Sequence, residues 1–425
     1  MSKLKNKLLL ILGANYETIP LVMTAKELGC IVHVTDYNPA APAKKYAHVA
    51  HDVDCMDIQK LSELCYKFKI DGIMLGVADS LVKSYQLLCA KNNYPCYVSK
   101  QQSEILTNKK RFNQLCENFG LPSIPNYKID LENFDESIKG IEFPVFVKPV
   151  DANSGKGMSI CENKQDLVIA IEKAKSSSIT GQYLVEEYMT CSDILAYYTF
   201  VNGKYYLTAI ADRYTIMQNN LSSRVCVGAI YDSRYKKLFI ETIHEKLTEL
   251  FKSIDVKNGV FLVSAFVKDN CFYLYDPGFR LQGEAPDIHI QNGISYNQRE
   301  ALVHFALTGE MTSPNQDKVS SFINSLNTHL TLWILLRQGV IKEIQGLNAL
   351  SKNSNVFYVS QRLFLNDEVK DYDIGTERQV FARIYCKIQD KQSIKNLINE
   401  IEDTIDVRGE NGESLKINGL KYRLF

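Results

Sequence analysis

The chain has 425 residues, enough for two or three domains that each bury a core of their own. Lysine plus arginine and aspartate plus glutamate both number 49, so there is no basic excess for nucleic acid and no acidic tail to stay disordered. Eleven cysteines, scattered from Cys30 to Cys386 without a CxxC pair, read as reduced thiols of a cytoplasmic protein, and the seven dispersed histidines argue against zinc.

In chain order, the lysines and leucines of MSKLKNKLLLILGAN imitate a signal peptide, but the run from Leu8 to Leu12 is too short for one. No segment approaches the roughly 18 apolar residues of a membrane span. KLLLILG predicts a strand, Ile19 to Leu28 a helix, IVHVTDY a strand ending at Asp36, DIQKLSELCYKF a helix and DGIMLG a strand, followed by another helix and YPCYVS. This alternation predicts a small doubly wound α/β domain with a parallel sheet, whose ligand surface lies near Gly13-Ala14-Asn15, Asp36 and Asp79-Ser80. A nicotinamide site is a weak reading there, because GANYET supplies one glycine where the dinucleotide fingerprint needs three. Next, SEILTNKKRFNQLCENFGLPSIPNY predicts a helix capped at Gly120 and stopped by Pro122 and Pro125. Composition changes again near TSPNQDK, after which GVIKEIQGL, NVFYVSQR and QVFARIYCKI predict short strands. The expected domains are residues 1–105, 106–312 and 313–425, the last a small α+β unit.

Four stretches of the middle region carry chemistry. FPVFVKP sets Lys148 at the end of a buried strand, where its point charge suits phosphate oxygens. DANSGKG then offers backbone N–H groups without bulky side chains. It is not a P-loop, because Gly155-Lys156-Gly157 runs into Met158-Ser159-Ile160, which reads as a strand. YLVEEYMTCSDI is an apolar strand running into acids, with Asp193 able to accept from ribose hydroxyls and the chain after Glu186 able to meet an adenine edge. CFYLYDPGFRLQGE ends a strand on Asp276 and Arg280, a carboxylate for Mg²⁺ beside a guanidinium for phosphoryl charge. Arg224 and Arg234 can bind an anionic substrate, though both also suit a plain surface. The tyrosines between 196 and 206 read as core and edge-strand residues.

The order of these features resembles the ATP-grasp superfamily, in particular its carbamoyl-phosphate-synthase-like, biotin carboxylase-like and glycinamide ribonucleotide synthetase-like ligases. The resemblance implies an α/β ATP-grasp fold with an N-terminal Rossmann-like preATP-grasp domain and a small mixed C-terminal domain. It implies ATP and Mg²⁺ as cofactors. Lys109 and Lys148 become the ATP lysines, and Ser154, Gly155, Lys156 and Gly157 the phosphate lid. Glu186 with Glu187, Tyr188 and Met189 becomes the adenine hinge, and Asp193 the ribose acid. Arg280 and Lys148 take catalytic roles, while Asp212 and Arg213 lie on the substrate side. The metal falls to Asp276, with Glu284 as a second acid, because Ser264 and Gly278 stand where the family usually has an acid and an amide. The implied reaction activates a carboxylate as an acyl phosphate and couples it to an amine, releasing ADP and phosphate. The alternatives are a nucleotide-binding protein with a degenerate metal site, or a phosphotransferase. Expected partners are small-molecule acids and amines, with no nucleic acid or membrane, and a homodimer as the default assembly.

Overall fold

Leu8–Leu12 is almost wholly buried and forms the middle of a four-stranded parallel sheet. The order is Val49–His51, Ile31–Thr35, Leu8–Leu12, Gly72–Leu75. Near-continuous apolar strands are what a sheet covered on both faces requires. The helices Ile19–Glu27, Ile58–Phe68 and Val82–Asn92 supply that cover. The three-residue strand Val49–His51 is too short to show in the sequence pattern, and Tyr94–Ser99 forms no strand. This computed structural model describes residues 4–151, 157–217, 224–324, 328–350, 352–389, 391–417 and 419–420.

Two further sheets make the body. An antiparallel sheet runs in the order Asn126–Tyr127, Tyr183–Glu187, Val145–Pro149, Ser159–Cys161. It packs its inner face on the helix Lys164–Ser177 through Val145, Val147, Leu167 and Ile171. A nine-stranded antiparallel sheet runs from Cys271–Gly278 through Gly259–Lys268, Ser192–Val201, Lys204–Met217, Arg224–Tyr231, Thr328–Leu336 and Val380–Ile388 to Val356–Gln361. Its remaining strand, Lys416–Ile417, also pairs with Thr328–Leu336. Tyr197 and Tyr198 therefore sit in an interior strand rather than at an edge.

This large sheet crosses residue 312 without a break, since Arg224–Tyr231 pairs with Thr328–Leu336. One apolar core joins residues of the N-terminal sheet to the Phe200, Phe251 and Phe261 layer, and a second lies under the C-terminal strands and the helix Ile394–Thr404. The N-terminal sheet is also tied down by polar contacts. Gln102, in a capping box with Ser99, donates from its amide to the carbonyls of Ile254 and Asp255.

Candidate active site

The three sheets meet around a cavity of about 530 Å³. At one end the strand Tyr183–Glu187 lies beside Val145–Pro149, with Lys148 opposite Leu184 in register. Lys148 Nζ is 2.7 Å from Glu186 Oε2, and both side chains are almost wholly buried. A dry pair of this kind is held only if its geometry repays the loss of two hydration shells. Lys109 enters from the first turn of the helix Lys109–Asn118, which Asn108 caps by accepting from the Arg111 N–H. Its Nζ is 3.2 Å from Asp276 Oδ1. Burial alone would lower the Lys109 pKa, but Asp276, Asp79 and Glu186 outweigh it, so the pKa is raised and the ammonium is kept.

Glu187, Tyr188 and Met189 follow as the chain leaves the small sheet, and all three line the cavity. Arg224 clamps this crossing: its guanidinium lies 5.1 Å from the Tyr188 ring centroid, and Nη2 donates to Tyr188 Oη and to the Met189 carbonyl. Glu187 is turned outward to Lys268 at 2.8 Å. Asp193 is buried, and its Oδ2 accepts from Arg213 Nε and Nη2 at 2.9 and 2.8 Å, while Tyr275 Oη donates to Oδ1 at 3.0 Å. Burial nevertheless pushes the Asp193 carboxyl up, with Arg213 pulling against it. Gly157 has φ +75°, a conformation that glycine adopts without strain. Ser154, Gly155 and Lys156 lie outside the described residues.

Toward the N-terminal sheet, Arg280 donates from Nη1 to its neighbour Leu281's carbonyl and pairs through Nη2 with Asp79. Asp79 and Asn15 do line the cavity, as expected of the strand ends, but Asp36 instead accepts from the Ala14 and Asn38 N–H groups and braces the first turn. Two substrate-side expectations separate. Side chains alternate across a strand, so Arg213 faces the cavity while Asp212 points to the other side. There Asp212 accepts from Ser233 Oγ at 2.6 Å and Arg234 Nε at 3.0 Å.

Glu284, expected beside Asp276, is engaged elsewhere. Tyr197 Oη donates to its Oε2 at 3.1 Å, and Arg213 Nη1 lies 3.4 Å from its Oε1. Among the described residues no group of three or more His, Cys, Asp or Glu can cage a metal ion. The half-exposed Asp276, with Ser264 opposite it in register, fits a Mg²⁺ that keeps waters and takes its other ligands from phosphate oxygens. Gly278 is not simply an empty place either. A Cβ there would meet the Gln282 amide at 3.1 Å, so a side-chain amide from four residues onward already fills that space.

Sequence reasoning missed Glu17, Tyr275, Trp333 and Glu377, all of which line the cavity. Strand alternation would have turned Tyr275 away from the face of Asp276, but the register shifts there, with Ser264 opposite Asp276 and Ala265 opposite Leu274, and both side chains reach the cavity. Glu17 follows two residues after Asn15 in the stretch expected to carry ligand surface, while Trp333 and Glu377 come from segments whose local pattern carries no sign of a site.

Residues 108–194 match the ATP binding domain of the carbamoyl-phosphate synthase L chain. Over nearly its whole length the chain superposes on an L-amino acid ligase from Bacillus licheniformis, with a TM-score of 0.76 at 15% identity, covering 96% of this chain and 100% of that one. The chain has the ATP-grasp fold. A second ATP-grasp relative in structure is the biotin carboxylase domain of Hydrogenobacter thermophilus 2-oxoglutarate carboxylase, solved with MgADP and bicarbonate, with a TM-score of 0.75, 16% identity and coverage of 96% and 91%. In sequence, the formate-dependent phosphoribosylglycinamide formyltransferase of Geobacter metallireducens is 25% identical over 186 residues, 42% of this chain. The ATP-grasp chain described here spans about half the length of such curated relatives, 47% in that case. No helix among the described residues is long and apolar enough to cross a membrane.

Proposed function

We propose that this ATP-grasp chain is an ATP-dependent carboxylate–amine ligase. The observation that carries the reading is a single cavity with a nucleotide end and an acceptor end. Lys109, Lys148 and the Glu186–Met189 hinge stand at the first, and Arg280 with Asp79 at the second. The hinge backbone takes the adenine edge, Asp193 the ribose hydroxyls, and the two buried lysines the phosphate oxygens. The lid role of residues 154–157 belongs to the same reading. Asp276 would hold Mg²⁺ together with the phosphates, where the ion would neutralise charge on the oxygens.

A carboxylate oxygen attacks the γ-phosphorus, the bond to the β,γ-bridging oxygen breaks, and ADP leaves. The amine nitrogen then attacks the acyl carbon, the bond to the phosphate oxygen breaks, and phosphate leaves as the nitrogen loses its proton. Little covalent help is needed from the protein, so catalysis rests on positioning and on charge. Arg280 stabilises the developing negative charge, a role typically worth about 3–4 kcal/mol of barrier.

Phosphorus NMR of the protein with MgATP and pooled acids and amines tests this. ADP and phosphate should appear together, only when both pools are present. Tight nucleotide binding with no turnover in any pool would instead favour the nucleotide-binding protein, the reading that Ser264 and the lone Asp276 support.

A further inference from the structure

The acceptor end of the cavity is walled by segments far apart in the chain. Glu17 and Asp79 come from loops of the N-terminal sheet, Glu284 from the loop after Arg280, and Trp333 and Glu377 from the C-terminal strands and turns. Every one of these acids already faces a guanidinium. Glu17 Oε1 is 2.8 Å from Arg362 Nη2 and 3.6 Å from Arg383 Nη2, and Glu377 Oε2 is 3.3 Å from Arg383 Nη2. Glu284 faces Arg213, and Asp79 faces Arg280.

The carboxylates and guanidiniums do not share the wall equally. Arg362 and Arg383 sit behind it, Arg383 stacked 4.1 Å from the Trp333 ring centroid, and neither lines the cavity. The lining at this end therefore shows Glu17 and Glu377 without their guanidiniums, while the two arginines that do line it, Arg213 and Arg280, are each paired with a carboxylate. A phosphate monoester brings roughly 1.5 to 2 negative charges near neutral pH. Among the described residues it would find no guanidinium at this end that is not already committed to a carboxylate. An ammonium is a compact charge with three donors, and it suits such a wall. Arg280 keeps its buried Nε without an acceptor, so it has hydrogen-bonding capacity left for a carboxylate.

We infer that the acid activated in this cavity is an amino acid without a phosphate group, its ammonium held by Glu17 and Glu377 and its carboxylate by Arg280. The inference rests on the ligase reading and gives it a substrate class. It also separates this chain from a relative whose name specifies a phosphoribosyl substrate.

Hydroxylamine provides the test, because it traps any acyl phosphate whatever the natural amine. Its nitrogen attacks the acyl carbon, phosphate leaves, and a coloured hydroxamate remains. The full chain with MgATP is assayed against single amino acids, formate, simple ammonium-free acids and phosphate-bearing acids, and ADP binding is measured in parallel. Hydroxamate should form with one or more amino acids. Glu377→Gln, at a half-exposed position, should raise KM for that amino acid about tenfold with ADP affinity unchanged. Hydroxamate only from phosphate-bearing or ammonium-free acids would overturn the inference and leave the ligase standing. An unchanged KM in Glu377→Gln would overturn the role of the wall, and no hydroxamate from any acid would overturn inference and ligase together.

Discussion

At the scale of single residues, the site is built from charges buried in pairs, and removing one member leaves the other stranded. Lys148 and Glu186 are the driest such pair. Lys148→Met should cost about 3–5 kcal/mol of stability, because Glu186 would be left buried without its partner. Adding Glu186→Gln should return most of that loss while ATP binding stays weak, as thermal unfolding and nucleotide titration of the two variants will show. Glu284 offers a second test through pH. Burial raises its carboxyl above the ordinary range, with Arg213 opposing. Between the unfolded value of about 4.3 and the raised folded one, the native state holds a proton that the unfolded chain has released. Stability contributed at this group thus falls as pH rises through that window and is level above it. Glu284→Gln removes the dependence, so the melting temperature of the variant relative to the parent should climb across the window and then flatten. A constant difference at all pH values would contradict the raised carboxyl.

At the scale of elements, the sequence signals that worked were those with local causes. The helix Lys109–Asn118 begins at an asparagine cap and ends before Gly120 at φ +61°, and both boundaries follow from residues adjacent in the chain. Asn108→Ala should cost about 1 kcal/mol in urea unfolding and weaken ATP binding, since the cap sets the turn that carries Lys109. The strands Leu8–Leu12 and Val145–Pro149 were legible from their apolar runs. The strand Val49–His51 was not, because three residues are too few to carry a periodicity and owe their conformation to pairing with Ile31–Thr35. Asp212 shows the same limit in another form. Its neighbour Arg213 reaches the cavity, and only the register of the strand decides which of the two does.

At the scale of the whole molecule, buried ion pairs join the first and last quarters of the chain. Glu17 meets Arg362 and Arg383 across more than 300 residues, with side-chain exposures of 11%, 10% and 4%. Such low exposure places these contacts well inside the range where losing one partner is costly. Glu17→Ala should therefore lower stability by about 3 kcal/mol, measured by thermal unfolding, whereas removal of the exposed Lys139 partner in its pair with Glu136 should change it by less than about 1 kcal/mol. The core shared between the N-terminal sheet and the large antiparallel sheet implies the same cooperativity.

The sequence by itself determined the architecture and pointed to the proposed nucleotide end, because two lysines, a hinge and an acid-to-arginine strand keep a fixed order along the chain. Lys148, Glu186 and Arg280 stood out at their strand ends, whereas Lys109 was singled out only by the order of the motifs as a set. Only the tertiary structure decided the acceptor end. Glu17, Glu284, Trp333 and Glu377 are separated by scores to hundreds of residues, and Glu284, the one among them singled out from the sequence, was expected at the metal instead. What they recognise depends on the sum of charges facing one space. That sum exists only once three sheets have packed, since whether an arginine lines a cavity or stands behind a carboxylate is a matter of burial, not of spacing.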